Sequence, residues 1–296
     1  MSTGFDWVAL AEYSVIGLLS GGLLSLVALG FVLIYKGTGV INFAMGEFMM
    51  LGAYFFYTAN VLWKLPTVVA LPLTLVAVAL VALLIERALL RPLSGQPVIS
   101  VLMATIGLAS ALHGGVDALW GGKNYEMPAL LPRKPLTPGD ILIPGQLFWS
   151  FVLAAVVIAA FTLYFRFSKT GIAMRAAASD PMTAYVLGID VRRTQALTWM
   201  FAGVVGAVAG IVVASMTSLS PALGGAALGV LAVIILGGLD SIAGAIIAGL
   251  IIGLIESLTA AYLGGKVRDI VPYAIVLIIL LIRPYGLFGT RQIERL

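Results

Sequence analysis

The sequence predicts an all-α integral membrane protein, a polytopic helical bundle of about eight or nine transmembrane segments in a single domain, 1–296. Three observations predict this fold. Hydrophobic residues make up 61% of the chain and charged residues 10%, against about 45–50% and about 25% in soluble domains. Long stretches carry one charged residue or none. The 34 glycines favour closely packed helices, because small residues let backbones approach each other in lipid.

Each apolar stretch defines one predicted element, since a helix needs about 20 apolar residues to cross a hydrocarbon core of about 30 Å. The window 194–239 would be about 69 Å long as one helix, so the chain is predicted to turn back near Ser218–Pro221. The last run is short for a crossing. In chain order the predicted segments are 13–35, 40–63, 65–85, 92–116, 141–165, the two halves of 194–239, 241–264 and 270–282.

The second segment is predicted to be broken or re-entrant at its start. The stretch "GTGVINFAMGE", 37–47, places glycines on both sides of Asn42. A broken helix leaves backbone groups free, which a membrane protein tolerates only where they line a cavity. We therefore predict a translocation pathway at Asn42, Met45, Gly46 and Glu47.

Polar side chains inside apolar segments are costly, about 2.5–3.5 kcal/mol for a carboxylate at the bilayer centre. Asn42 and Glu47 either line a path or hold helices together by hydrogen bonds. Glu256 and His113 are interpreted as structural polar residues. No metal site is expected, because the chain has no cysteine and one histidine.

The basic residues predict the orientation, since Lys and Arg accumulate in cytoplasmic loops. With the amino terminus outside, the carboxy terminus cytoplasmic and nine alternating segments, eleven basic residues lie inside and six outside. The inner residues are Lys36, Arg87, Arg91, Arg166, Lys169, Arg175, Arg192, Arg193, Arg283, Arg291 and Arg295.

Two long loops stand out. The external loop 117–146 holds five prolines and four glycines, which predicts little regular structure. It is either a connector or a docking rim for an external partner. The cytoplasmic loop 166–193 contains the almost uncharged stretch "TGIAMRAAASDPMTAYVLGID".

That stretch predicts two short helices that meet at an elbow. Ser179 or Asp180 can cap the second helix, Pro181 suits its first position and Gly188 can end it. Such an elbow either enters a groove of a soluble partner or lies in the lipid headgroups. The side chains predicted to be presented are Met174, Ala177, Met182 and Tyr185.

The loop resembles the coupling-helix segment of ABC-importer permeases, in the form found in the branched-chain amino-acid (LivH/LivM-type) family. Other stretches resemble that family in the same order, and the closest likeness is to the LivH-like subunit. They are "LGFVLIYKGTGVINFAMGEFMMLGAY", "ERALLRPLSGQP" with "ATIGLA", "LGGLDSIAGAIIAGLIIGLIE" and "RPYGLFG".

The resemblance implies a permease subunit that forms half of a pathway for a small solute, in a bacterial inner (plasma) membrane. It implies a related permease subunit, two cytoplasmic ATPase subunits that bind ATP and Mg, and a periplasmic solute-binding protein. The ATPase-coupling residues would be Arg175, Ala176, Ala177, Asp180, Ala184, Gly188 and Ile189. Where Met45 stands, the family commonly has His or Gln. The pathway loses a polar group there, which argues against carrying over branched-chain amino acids as cargo. The expected cargo is an amino acid or a related small carboxylate.

The chain itself is not expected to be an enzyme, to hold a cofactor or to bind nucleic acid. Neither of its Gly-Lys pairs, at Lys123 and Lys266, has P-loop spacing, so ATP hydrolysis is expected in partner subunits. The alternative function is an ion-coupled secondary transporter that uses Glu47 and Glu256. A third possibility is a membrane scaffold without transport.

Overall fold

The computed structural model describes residues 7–93, 95–139, 141–268, 270–283 and 285–290. The predicted orientation also depends on Arg291, Arg295 and both chain ends, which lie outside the described residues. Within the described residues the regular structure is helical, with two isolated β-bridges. The helices are α1 Trp7–Thr38, α2 Met45–Tyr57, α3 Thr67–Ile85, α4 Val98–Trp120, α5 Gly145–Phe167, α6 Lys169–Ser179, α7 Pro181–Val186, α8 Val191–Met216, α9 Ala222–Ala226, α10 Leu231–Gly237, α11 Ile242–Tyr262, α12 Gly265–Arg268 and α13 Val271–Ile282.

Irregular helical turns extend three of these helices. A π-helical turn, Thr58–Leu62, follows α2, and a 3-10 turn, Ala227–Val230, joins α9 to α10. After α3 comes a π-helical turn, Glu86–Leu90, and then a 3-10 turn, Arg91–Leu93. The widened turn after α3 changes which side chains share a face, because a π-turn inserts an extra residue.

Six helices among the described residues are long and apolar enough to cross a membrane, so the chain is a polytopic membrane protein. The predicted count of eight or nine crossings is not confirmed. The remaining predicted segments form shorter or broken helices: α13 has 12 residues, about 18 Å. The six long helices are Trp7–Thr38, Thr67–Leu93, Val98–Trp120, Gly145–Phe167, Val191–Met216 and Ile242–Tyr262.

The predicted break at the start of the second segment lies between α1 and α2. The chain leaves α1 at Gly39, whose φ of +72° suits glycine. Thr38 Oγ1 accepts a hydrogen bond from Val40 N at 3.3 Å, and α2 begins at Met45. The segment predicted over 40–63 is therefore helical from Met45 onward.

Glycines bring α1 and α11 into backbone contact at the centre of the bundle. A Cβ added at Gly21 would lie 2.6 Å from Gly249 O and 2.8 Å from Leu250 Cα. Ser25 Oγ donates to Ile246 O at 3.0 Å across the same seam. The buried core runs from this seam to α8 and α2, as expected where small residues replace a hydrophobic driving force.

The loop 117–146 has little regular structure in its described part, as predicted. Tyr125 exchanges two backbone hydrogen bonds with Leu219, at 2.8 and 3.0 Å, which ties the loop to the turn between α8 and α9. The Tyr125 ring also packs against Tyr54, at 6.5 Å between centroids. This loop and the α8–α9 turn therefore lie at the same end of the bundle.

Candidate functional site

The helices α6 and α7 form the elbow that the sequence predicts. Asp180 caps α7, since its Oδ1 accepts hydrogen bonds from Met182 N and Thr183 N, both at 3.0 Å. Pro181 occupies the first turn and Gly188 has φ +82°. The hydrogen bonds that Thr183 donates, with the one from Met182 N, hold the pKa of the Asp180 carboxyl below its ordinary value.

The exposed surface of the elbow is apolar and lies on α7 and the turn after it. Four large hydrophobic side chains are between 71% and 77% exposed: Met182, Tyr185, Val186 and Leu187. An exposed apolar surface of this kind contacts either a partner protein or the lipid headgroups.

Two of the side chains predicted on that surface are instead buried. Met174 and Ala177 on α6 are 3% and 7% exposed, because one face of α6 packs on α1, α5 and α8. Ala184 on α7 is 2% exposed. The prediction that Met174 and Ala177 are presented to a partner is therefore wrong, and these residues hold the elbow against the bundle.

Polar contacts fix the elbow at both ends. Arg175 Nη2 donates to Arg166 O at 3.1 Å, and Asp180 N donates to Ala176 O at 3.1 Å. Beyond α7, Ile189 N donates to Ala184 O at 3.0 Å. These contacts give the elbow a defined shape that a slack loop would lack.

The start of α8 is attached directly to the elbow. Asp190 Oδ1 accepts from Arg193 N at 3.0 Å and caps α8, which begins at Val191. Gln195 and Trp199 lie in the following turns of α8 and line a cavity of about 360 Å³. The cavity therefore lies at the elbow end of the bundle.

Asn42 also lines this cavity and is 1% exposed. Its Oδ1 accepts from Ala44 N at 2.9 Å, which orders the break before α2. Its Nδ2 has no hydrogen-bond partner among the described residues. An unpaired buried amide is unfavourable, and because Nδ2 is itself covered, a molecule in the cavity reaches it only if the wall moves.

An ion pair forms another part of the cavity wall. Arg91 Nε donates to Glu86 Oε1 at 3.2 Å and Arg91 Nη2 to Glu86 Oε2 at 2.9 Å. Glu86 is 2% exposed, and the arginine side chain is 35% exposed. Sequence reasoning missed this pair as a site, because the two residues read as loop charges and only the π-turn brings them to one face.

Two of the predicted pathway residues contact protein. Met45 is 0% exposed and lies between helices α1 and α8, where its Cε would contact a Cβ placed at Gly30 or at Gly206. A Cβ at Gly46 would overlap the carbonyl of Gly224. Neither is among the cavity-lining residues.

Glu47 lies in a different polar cluster, on the side of α2 that faces α4. The residue is 7% exposed, and its Oε2 lies 3.6 Å from His113 Nδ1. His113 Nε2 in turn lies 3.9 Å from Asp117 Oδ2. The structure thus joins Glu47 to His113, a pairing that their separation in sequence conceals.

Glu256 does not line the cavity; its Oε2 accepts a hydrogen bond from Arg268 Nη2 at 3.4 Å. Among the described residues, no group of three or more His, Cys, Asp or Glu side chains could hold a metal ion. The cavity offers donors and an ion pair, which suit a small polar solute better than a metal.

A bundle of apolar helices, a polar cavity at one end and a fixed apolar elbow beside it define a membrane transport protein of the permease class. Residues 13–280 match the family model described as "Branched-chain amino acid transport system / permease component". The chain belongs to this family.

Several proteins are similar to this chain over nearly their whole length. LivH of Salmonella typhimurium is 30% identical, over 94% of this chain and 95% of the relative. BraD of Pseudomonas aeruginosa is 29% identical over the same shares, and LivH of Methanocaldococcus jannaschii is 32% identical over 93% and 91%. Each is described as a branched-chain amino acid transport permease protein, the last as a probable one.

A solved structure, PsaBC from Streptococcus pneumoniae in complex with Fab, aligns with 93% of both chains at 12% identity and a TM-score of 0.48. A likeness of that degree supports no argument about this chain.

Proposed function

We propose that this chain is one permease half of an ATP-driven importer in a bacterial inner membrane. A related permease would form the other half, and two cytoplasmic ATPase subunits that bind ATP and Mg would drive it. A periplasmic protein would deliver the solute. Membership of the permease family supports this assignment, and the alternative of an ion-coupled transporter built on Glu47 and Glu256 has no comparable support.

The observation that carries the proposal is the exposed apolar surface of α7. Met182, Tyr185 and Val186 extend from a helix that buries Ala184 and whose ends are hydrogen-bonded within the elbow. A rigid helix that inserts apolar side chains into a groove is a common mode of partner recognition. We propose that the ATPase subunit supplies this groove, which puts the elbow end in the cytoplasm.

The predicted coupling residues then fall into two roles. Asp180 and Gly188 set the elbow geometry at its exposed surface. The others, Arg175, Ala176, Ala177, Ala184 and Ile189, connect the elbow to the bundle. At the opposite end, the loop 117–146 is in a position to meet the solute-binding protein.

The proposed cargo is an amino acid or a related small carboxylate, and it includes branched-chain amino acids. The relatives described above are named for branched-chain amino acid transport. Met45 replaces a polar residue of the resembling family, but it is buried between glycines and does not line the cavity. The replacement therefore gives no reason to exclude branched-chain cargo.

The test is uptake of labelled L-leucine by the complete transporter, reconstituted in liposomes with ATP inside and the binding protein outside. Tyr185→Glu places a charge in the proposed interface and should abolish uptake and ATPase association while the permease stays folded. Leu263→Glu is the matched control, since Leu263 is 65% exposed at the far end of α11. Normal uptake by Tyr185→Glu, or uptake that follows an ion gradient without ATP, would overturn the proposal.

A further inference from the structure

The cavity beside the elbow is amphipathic. Asn42, Arg91 and Gln195 provide polar groups, while Val40 and Trp199 provide apolar surface. A cavity of about 360 Å³ lies within the range of about 300–1,000 Å³ that is typical of small-molecule sites. Small-molecule sites usually have mostly apolar walls with a few placed polar groups, whereas polar and apolar groups contribute about equally to this one.

Two of the unused hydrogen-bonding groups of this cavity are donors. Arg91 uses Nε and Nη2 to bind Glu86, and a guanidinium carries five N–H donors. Its Nη1 thus has two hydrogens without a partner among the described residues. Asn42 Nδ2 adds two more. An acceptor on the ligand could pair with the Arg91 guanidinium directly and with the covered Asn42 Nδ2 if the wall moves. A carboxylate matches a guanidinium best because it accepts two parallel hydrogen bonds.

Glu86 makes Arg91 suitable for this task. The carboxylate holds Nε and Nη2 in a bidentate pair, so the plane of the guanidinium is fixed while Nη1 stays free. Glu86 also keeps the buried site from carrying an uncompensated positive charge, which would be costly. Glu86 is thus a positioning residue, and Arg91 is the residue that touches the ligand.

We propose that this cavity is a binding site for a small monocarboxylate with an apolar side chain, a branched-chain amino acid being the natural example. Arg91 Nη1 and Asn42 Nδ2 donate to the carboxylate, and the apolar walls at Val40 and Trp199 take the side chain. The inference deepens the proposed function and rests on it for the identity of the cargo. It assigns the contact with the solute to the permease itself, at the end where the elbow lies.

The first experiment needs no mutation. The purified full-length permease, in lipid nanodiscs and without the solute-binding protein, is equilibrated with labelled L-leucine and challenged with unlabelled competitors. L-leucine and 4-methylpentanoate, which share the carboxylate and the apolar tail, should compete. L-leucinamide, which lacks the carboxylate, should compete about tenfold to hundredfold more weakly, the range expected for lost hydrogen bonds to a charged group. Equal competition by leucinamide, or no binding of leucine at millimolar concentration, would overturn the proposal.

The second experiment replaces the ion pair. Arg91→Gln should weaken leucine binding by about tenfold to hundredfold, and Arg87→Gln should leave it unchanged. Arg87 is the matched control because it is an arginine one turn earlier, in the π-turn, and it lines only the neighbouring surface pocket, whereas Arg91 lines both that pocket and the cavity. The double variant Glu86→Gln/Arg91→Gln removes both charges together and avoids leaving a buried carboxylate unpaired. An equal loss with Arg87→Gln, or full binding by the folded double variant, would contradict the assignment.

The role of Glu86 has its own measurement. Glu86→Gln should lower the preference for leucine over leucinamide, because the guanidinium is no longer held in position. A purely structural role would reduce the binding of both ligands alike and leave the preference unchanged.

Failure of this site and failure of the importer function give different results. If uptake by the assembled transporter stays ATP-dependent while Arg91→Gln changes neither its KM nor leucine binding, the site is wrong and the function stands. If uptake by the wild-type transporter does not depend on the ATPase subunits, the importer function is wrong whatever the cavity binds.

Discussion

The seam between α1 and α11 gives a quantitative test of the packing. Gly21→Ala adds a Cβ that would lie 2.6 Å from Gly249 O and 2.8 Å from Leu250 Cα. An ordinary contact between heavy atoms is about 3.5–4.0 Å, so the two helices must move apart by roughly 1 Å. The neighbouring atoms are backbone and cannot rotate away, so the whole seam has to adjust.

The cost follows from that movement. A gap of about 0.5–1 Å forfeits about a quarter to a half of each dispersion contact along the seam, and overpacking in well-packed cores costs about 1–3 kcal/mol. Alanine recovers up to about 1 kcal/mol relative to glycine through helix propensity. A net loss of about 1–2 kcal/mol is therefore expected.

The assay is thermal unfolding of the purified chain in one detergent, in which the remaining fraction of monodisperse protein is measured at each temperature. Gly107→Ala in α4 is the matched control, because a Cβ there has no atom within 4 Å and only the propensity gain applies. Gly21→Ala should lower the midpoint temperature and Gly107→Ala should maintain or raise it. Equal midpoints for the two variants would refute the close approach of α1 and α11.

Three further outcomes are expected. Asp180→Ala should speed amide hydrogen exchange at Thr183, while Asp180→Asn should largely preserve protection. Because the folded pKa of Asp180 is depressed, the cap stabilises the elbow above the ordinary aspartate pKa and is lost as pH falls through the folded value. Acidification of the wild-type protein should therefore cause the same loss of protection at Thr183. Glu47→Gln should keep or raise the unfolding midpoint, since it removes the cost of a buried carboxylate whose Oε2 has no hydrogen bond; a lower midpoint would show that the charge itself stabilises the fold. In intact cells, Ala129→Cys should react with an impermeant thiol reagent and Ser179→Cys should react only after lysis; the reverse pattern would overturn the orientation. The chain has no native cysteine that could react with the reagent.

The sequence predicts local features well where a single residue type dictates the backbone. The cap at Asp180, the proline at the first turn of α7 and the positive φ of Gly188 all follow from side-chain chemistry within a few residues. Apolar windows likewise locate the helices, because their length and composition are local properties. The number of crossings is harder to predict from local sequence, because whether a short helix such as α13 crosses the membrane depends on the helices around it.

The polar contacts of the site could not be predicted in this way. Glu86 and Arg91 share a face only because the helix widens to a π-turn, and no spacing rule for an α-helix brings residues five apart together. Glu47 meets His113 through the packing of α2 on α4. Met45 directly follows the break before α2, but its side chain fills the space left by Gly30 and Gly206. In each case tertiary packing decides which side of the helix faces a cavity.

Helix α8 connects the two regions on which the proposed mechanism depends. Its first turn is capped by Asp190, directly after the elbow, and Gln195 lies in the next turn and lines the cavity. Four residues along a helix span about 6 Å, so a movement of the elbow reaches the cavity wall through a single rigid element. Under the proposed function, ATPase movement at Tyr185 would therefore change the distance between α8 and the Arg91–Glu86 wall. That wall belongs to the end of α3, which has no direct chain connection to the elbow, so elbow displacement would open or close the cavity by moving one wall relative to the other.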